Sequence, residues 1–199
     1  MSYRAACAAV ALAMIAACNS SPASTAITNT PPATSSEVTG IAPRNAIVTL
    51  LPASGSAPMP EQPAVMDQIA KQFVPPVLIV RVGQPVEFRN SEDMPHNVSV
   101  ARRGTGAEIL NVSTEPHQKQ VFTFDRVGQF DVLCDMHEGM SAIVIAALGP
   151  TTTIAEDDGR FSFPNVPFGS YQLSLTYEGR TVERPLEVRG ARTEFKLVR

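Results

Sequence analysis

From Asn45 onward, apolar and polar residues alternate in short runs whose period is two rather than 3.6. Val77 to Val82 places Leu78, Val80 and Val82 on one face and Arg81 on the other. Lys119 to Asp125 brings Phe122 and Phe124 together, and Gln129 to Cys134 gives Phe130, Val132 and Cys134 a common face. Ala46 to Leu51, Val86 to Phe88 and Asn97 to Ala101 read as further strands, with turns at Gly83-Gln84-Pro85 and Arg126 to Gly128. Ser141 to Leu148 is apolar at odd and even positions alike. It reads either as a central strand with a merely non-polar outer face or as a strand covered there by the C-terminal segment. The one helical stretch that the pattern allows, a weak one, lies near Pro63 to Lys71. Past Gly149 the alternation resumes. Asp157-Asp158-Gly159 turns, Phe161 and Phe163 alternate, and Pro164 to Gly169 reads as a loop. Tyr171, Leu173 and Leu175 share a face, and Val182 to Val188 and Phe195 to Val198 complete the set. The pattern predicts an all-β chain: a β-sandwich over residues 45–148, then a small β-rich module over residues 149–199.

The first 44 residues read differently. Arg4 precedes a 13-residue apolar stretch, Ala5 to Ala17, too short to span a bilayer and the right length for a signal peptide over residues 1–17. Its end, Ile15-Ala16-Ala17-Cys18, resembles the bacterial lipobox. That resemblance implies cleavage before Cys18 and lipidation of its sulfur; plain secretion with a free Cys18 is the alternative. Either way Cys7 leaves with the signal. If Cys18 is acylated, Cys134 has no disulfide partner and is expected to be buried or held by a metal. Residues 18–44 are rich in Ser, Thr, Pro and Ala and read as a tether.

Composition narrows the chemistry. Hydrophobic residues make up 44% and charged residues 18% of the 199, enough to bury a core. The net charge is −3 and no basic run occurs, which argues against nucleic acid as a partner. Three histidines suffice for one mononuclear metal site but not for a multicopper centre. No Ser/His/Asp pattern or Gly-rich phosphate loop is present.

The informative residues are His96, within Asn90-Ser91-Glu92-Asp93-Met94-Pro95-His96-Asn97, and the run Cys134-Asp135-Met136-His137-Glu138-Gly139-Met140. A thiolate with two imidazoles suits copper, zinc or iron. A thioether is a poor zinc ligand and a usual weak axial ligand of copper, so two His, one Cys and one Met point to copper. Cys134 ends a strand on its core face, a tight loop returns His137 and Met140 to the same point, and His96 arrives from another strand. Met136, adjacent to His137, is expected to project away, whereas Met140, three residues on, falls on the same side. Taken singly, such a Cys is a core residue and such a His a surface one; the joint spacing carries the reading. His117, in a polar loop, is expected to be exposed and not a ligand. Met94 and Met136 are expected to be apolar fillers, and Arg102-Arg103 a solvated loop tip. Four protein donors leave no open position for a substrate, which argues against an enzyme.

Met94-Pro95-His96-Asn97-Val98 together with Cys134-x-x-His137-x-x-Met140 resembles the cupredoxins, and among them the amicyanins, over roughly Asn45 to Leu148. The wider pattern resembles bacterial plastocyanin-like proteins, often labelled methylamine-utilisation proteins, that carry a carboxypeptidase-regulatory-like tail. It includes Ala64-Val65-Met66-Asp67-Gln68 and Lys71-Gln72-Phe73-Val74-Pro75. Gly159-Arg160-Phe161 and Pro164-Asn165-Val166-Pro167-x-Gly169-x-Tyr171 match such a tail. The resemblance implies a Greek-key sandwich holding one type 1 copper. His96, Cys134 and His137 would be its trigonal ligands and Met140 its axial one, with the Asn97 backbone N–H bonded to the thiolate. Glu138-Gly139 departs from the commoner loop, in which Pro follows the His; this bears on the potential and the docking surface, not on the ligand set. The expected function is one-electron transfer in the cell envelope, through the His137 edge, to redox partner proteins that the sequence does not name. Membrane contact is expected only through the lipidated Cys18. Two rivals are a copper storage or delivery protein and a cell-envelope binding module whose C-terminal segment recognises a glycan or protein.

Overall fold

The computed structural model describes residues 34–55 and 57–196. The signal segment, Cys18 and the tether up to residue 33 lie outside the described residues. Every regular element among those described is a strand.

Nine strands build the sandwich that positions the histidines and the cysteine. They are β3 (Ala64–Ile69), β4 (Gln72–Val74), β5 (Val77–Arg81), β6 (Pro85–Asn90), β7 (His96–Arg102), β8 (Ala107–Thr114), β9 (Lys119–Thr123), β10 (Gly128–Leu133) and β11 (Ser141–Ala147). One sheet runs β4-β3-β6-β9 and the other β5-β11-β10-β7-β8. The chain crosses between the sheets after β4, β5, β6, β8 and β9, in the expected Greek-key manner. Alternate residues of both sheets meet in one core, with Met66, Phe73, Phe88, Phe124 and Phe130 nearly sealed from solvent. Each such side chain contributes about 1.5–3 kcal/mol on burial.

The expected helix near Pro63 to Lys71 is instead the hairpin β3–β4. Met66 and Gln68 are buried while their neighbours are not, the period of a strand. Asp67↔Val74, Gln68↔Phe73 and Ile69↔Gln72 leave Ala70 and Lys71 as a two-residue turn, with φ of 52° and 56°. Two left-handed residues are what a tight hairpin of the right twist demands.

The remaining strands are β1 (Ser35–Ile41), β2 (Ile47–Pro52), β12 (Thr152–Ile154), β13 (Arg160–Pro167), β14 (Gly169–Tyr177), β15 (Arg180–Val188) and β16 (Arg192–Lys196). They form a second sandwich of sheets β13-β1-β16 and β12-β2-β14-β15. This corrects the expected boundaries. Residues 35–41, read as tether, are the central strand of a sheet, and residues 47–52, read as part of the first sandwich, pair with β12 and β14. The module is thus not residues 149–199 alone: the nine-stranded sandwich is inserted between its second and third strands. β13 also runs on to Pro167 through the stretch read as a loop.

The two-faced burial of β11 is explained by this arrangement. Ile145 and Ala147 pack with Ile47 and, at their margin, Val127, Ile143 and Ile154. Gln129 Nε2 donates to the Asn45 carbonyl at 2.7 Å across the same junction. The covering face comes from β2 and β12, and so only in part from the C-terminal segment.

Candidate metal centre

His96 is the first residue of β7 and is fully buried. Cys134 follows β10 directly and continues the inward face of Phe130 and Val132. Between Cys134 and β11 the chain makes a short closed loop. The Cys134 amide donates to the Met140 carbonyl at 3.1 Å, and the Met140 amide to the His137 carbonyl at 3.4 Å. Gly139, at φ 76°, supplies the left-handed residue that this closure needs.

The loop brings the donors together. Cys134 Sγ lies 3.7 Å from His96 Nδ1 and 3.5 Å from His137 Nδ1. The ligand atoms of all three lie within 4.8 Å of one another. Donors that sit about 2.0–2.3 Å from one ion are themselves about 3.3–4 Å apart, so this set fits one metal ion. The His96 and His137 rings stand 4.6 Å apart at 51°. Met140 is buried in the core cluster that contains Cys134. His137 is only half-buried. Burial, the largest influence, pushes the His96 imidazole below the usual histidine range against the opposing pull of Glu92. It therefore keeps the neutral form, which is the ligand form.

Side chains hold the two ligand loops in register. Asn97 Oδ1 accepts the Asp135 amide at 2.6 Å, and Asn97 Nδ2 donates to the Asp135 carboxylate at 2.7 Å and to Asn111 Oδ1 at 3.1 Å. Asn97 thus ties the start of β7 to the residue after Cys134. Asn90 Nδ2 donates to the carbonyls of Met94 and Thr114, both at 2.8 Å, and Asn90 Oδ1 accepts the Glu92 amide. Glu92 Oε1 accepts the Lys71 amide at 2.7 Å and stands 3.4 Å from His96 Nε2. Gln68, Asn90, Glu92 and Asp135 were not singled out in the sequence. Their signal is a polar residue where a strand's alternation calls for an apolar one, as at Gln68, or an Asn at a strand end, as at Asn90.

His117 is exposed, 2.9 Å from Asp93, and stands outside the donor cluster. Met94 and Met136 are not fillers: both are exposed, Met136 by 52%. Met136 adjoins His137, whose ring turns inward to Cys134, so the Met136 side chain turns outward. Arg103 is exposed in the turn after β7, as expected, whereas Arg102 ends that strand and is half-buried. Arg102 lies over the Phe130 ring at 5.4 Å, and Arg103 pairs with Asp131 at 3.1 Å.

Residues 63–147 match the copper binding proteins of the plastocyanin/azurin family. The matched segment, less than half of the chain, contains His96, Cys134, His137 and Met140. Amicyanin of Paracoccus versutus is 26% identical over 91 residues, 45% of this chain and 69% of that protein. Among solved structures, an oxidized amicyanin mutant aligns at 27% identity over 50% of this chain and 92% of its own, with a TM-score of 0.39. A purple cupredoxin from Nitrosopumilus maritimus aligns at 20% identity over 42% and 99%, with a TM-score of 0.38. The sequence matches support a cupredoxin assignment for this segment.

Proposed function

We propose that this plastocyanin/azurin-type segment holds one type 1 copper and serves one-electron transfer in the cell envelope. The observation that carries the reading is the buried Cys134 sulfur with two imidazole Nδ1 atoms at 3.5 and 3.7 Å. Copper bound there supplies a one-electron couple. The rest is the work of the chain. His96, Cys134 and His137 would hold the copper, with Met140 as the fourth donor. The Asn97 backbone N–H is the donor that tunes the thiolate. Strands on both sides and the Asn97–Asp135 tie hold these groups in place, so little rearrangement accompanies a change of charge. Burial of His96 and Cys134 excludes water and disfavours the ready exchange that storage or delivery requires. His137 alone among the three is half-open, and its exposed edge is the point of contact with a partner. The protein supplies all the donors, so no position remains for a substrate and no enzymatic step is assigned.

We place the chain on the outer side of a membrane on sequence grounds alone, through Cys18 after Ile15-Ala16-Ala17. No helix among the described residues is long and apolar enough to cross a membrane. A redox titration of the copper-loaded protein tests the function. The expected result is a reversible one-electron couple with bleaching and full recovery of colour. Loss of copper on each reduction would refute a carrier role.

A further inference from the structure

Gln68 lies on the core-facing side of β3 and is completely buried. Met66, two residues earlier on the same face, is the kind of side chain such a position ordinarily holds. A buried amide without partners is destabilising. Gln68 offsets this only in part. Its Nε2 donates to the Asn97 carbonyl at 3.1 Å, while its Oε1 has no partner. The Asn97 carbonyl lies just past the end of a ladder: β10 pairs with β7 as far as Leu133↔Ser99, and the chain then turns away at Cys134. Gln68 reaches across from the opposite sheet to bond that carbonyl. Its own backbone carbonyl accepts the Ser91 amide at 3.3 Å, at the other end of the loop that leads to His96. One residue thus grips both ends of the segment Ser91–Asn97.

We propose that Gln68 is a positioning residue for the metal centre. By fixing the peptide after Asn97 it sets the aim of the His96 ring toward Cys134 and of the Asn97 N–H beside it. The inference rests on the copper reading above. A residue kept only for core stability would be better as an apolar one, which would leave no orphaned Oε1; the bond to Asn97 is what an apolar residue cannot supply.

Gln68→Met tests this, because Met has the same length, fills the space and lacks the donor. In the copper-loaded protein the expected result is a displaced charge-transfer band, a shifted reduction potential and about 10–100-fold weaker Cu(II) binding. The urea midpoint of the metal-free protein should change little. In the metal-free protein, amide exchange at residues 96–98 should rise about two- to tenfold, with exchange in β14 and β15 unchanged. Unaltered spectrum, potential and affinity would overturn the proposal, whatever happens to stability. Gln68→Leu, which also lacks the donor, repeats the measurements if Gln68→Met does not fold. If the unaltered protein forms no coloured copper complex, the copper reading falls by itself. The metal-free exchange then still decides whether Gln68 holds the segment, and unchanged exchange there overturns that role.

Discussion

Val38→Ala asks whether the chain before residue 45 belongs to the fold. Val38 is fully buried, in the cluster of Phe161, Phe163, Leu173 and Phe195. It sits in a strand flanked on both sides, paired with Phe163 and with Thr193. The substitution removes two methyl groups, about 0.8 kcal/mol each in transfer. The aromatic rings around the gap cannot close it fully, so a cavity cost adds to this. The expected loss is about 1.5–3 kcal/mol. At about 1–3 kcal/mol per molar for a domain of this size, the urea midpoint should fall by about 1 M. The chain offers a selective probe, since it has no Trp and its only described tyrosines, Tyr171 and Tyr177, lie in the second sandwich. Tyrosine near-UV dichroism reports that sandwich, and copper absorption reports the inserted one. An unchanged tyrosine midpoint would mean that residues 35–41 are the tether their composition suggested, and the insertion architecture would fall with them.

Two further outcomes follow from the loops. Met140→Gln should shift the reduction potential and spectrum while copper is retained, whereas exposed Met136→Leu should do little; the reverse order, read by voltammetry, would show that the loop is drawn wrongly. Lys71→Gly should stabilise the metal-free protein by about 0.5–1 kcal/mol, because it relieves a left-handed L-residue at φ 56° and keeps the backbone amide that Glu92 accepts. Thermal unfolding checks this, and a lowered midpoint would contradict it.

The elements that the sequence made legible are those with one buried face. β5, β9 and β10 alternate in burial, β11, buried on both faces, shows instead as a continuous apolar run, and the four donors declare themselves by spacing at strand ends. Where polar residues face the core, the pattern fails. Gln68 breaks the alternation of β3, and the Ala70-Lys71 turn carries neither Asn nor Gly to mark it. β1 is hidden for the same reason. Ser36 is buried but bonded to Thr193, and Gly40 is buried because a Cβ there would stand 2.6 Å from the Phe161 ring and 2.7 Å from the Phe195 carbonyl. A Ser/Thr/Gly-rich strand looks like a tether when its neighbours are unknown. The insertion is invisible to any local reading, since Leu50 finds its partner at Leu173. The outward turn of Met136 likewise follows from loop closure, which has no period to read.

Titration of the purified protein with Cu(II) under visible absorption shows whether His96, Cys134 and His137 form one copper site. An intense thiolate-to-copper band that saturates at one equivalent and is abolished in Cys134→Ser is the expected result. No such band, or a band that survives Cys134→Ser, would contradict that site.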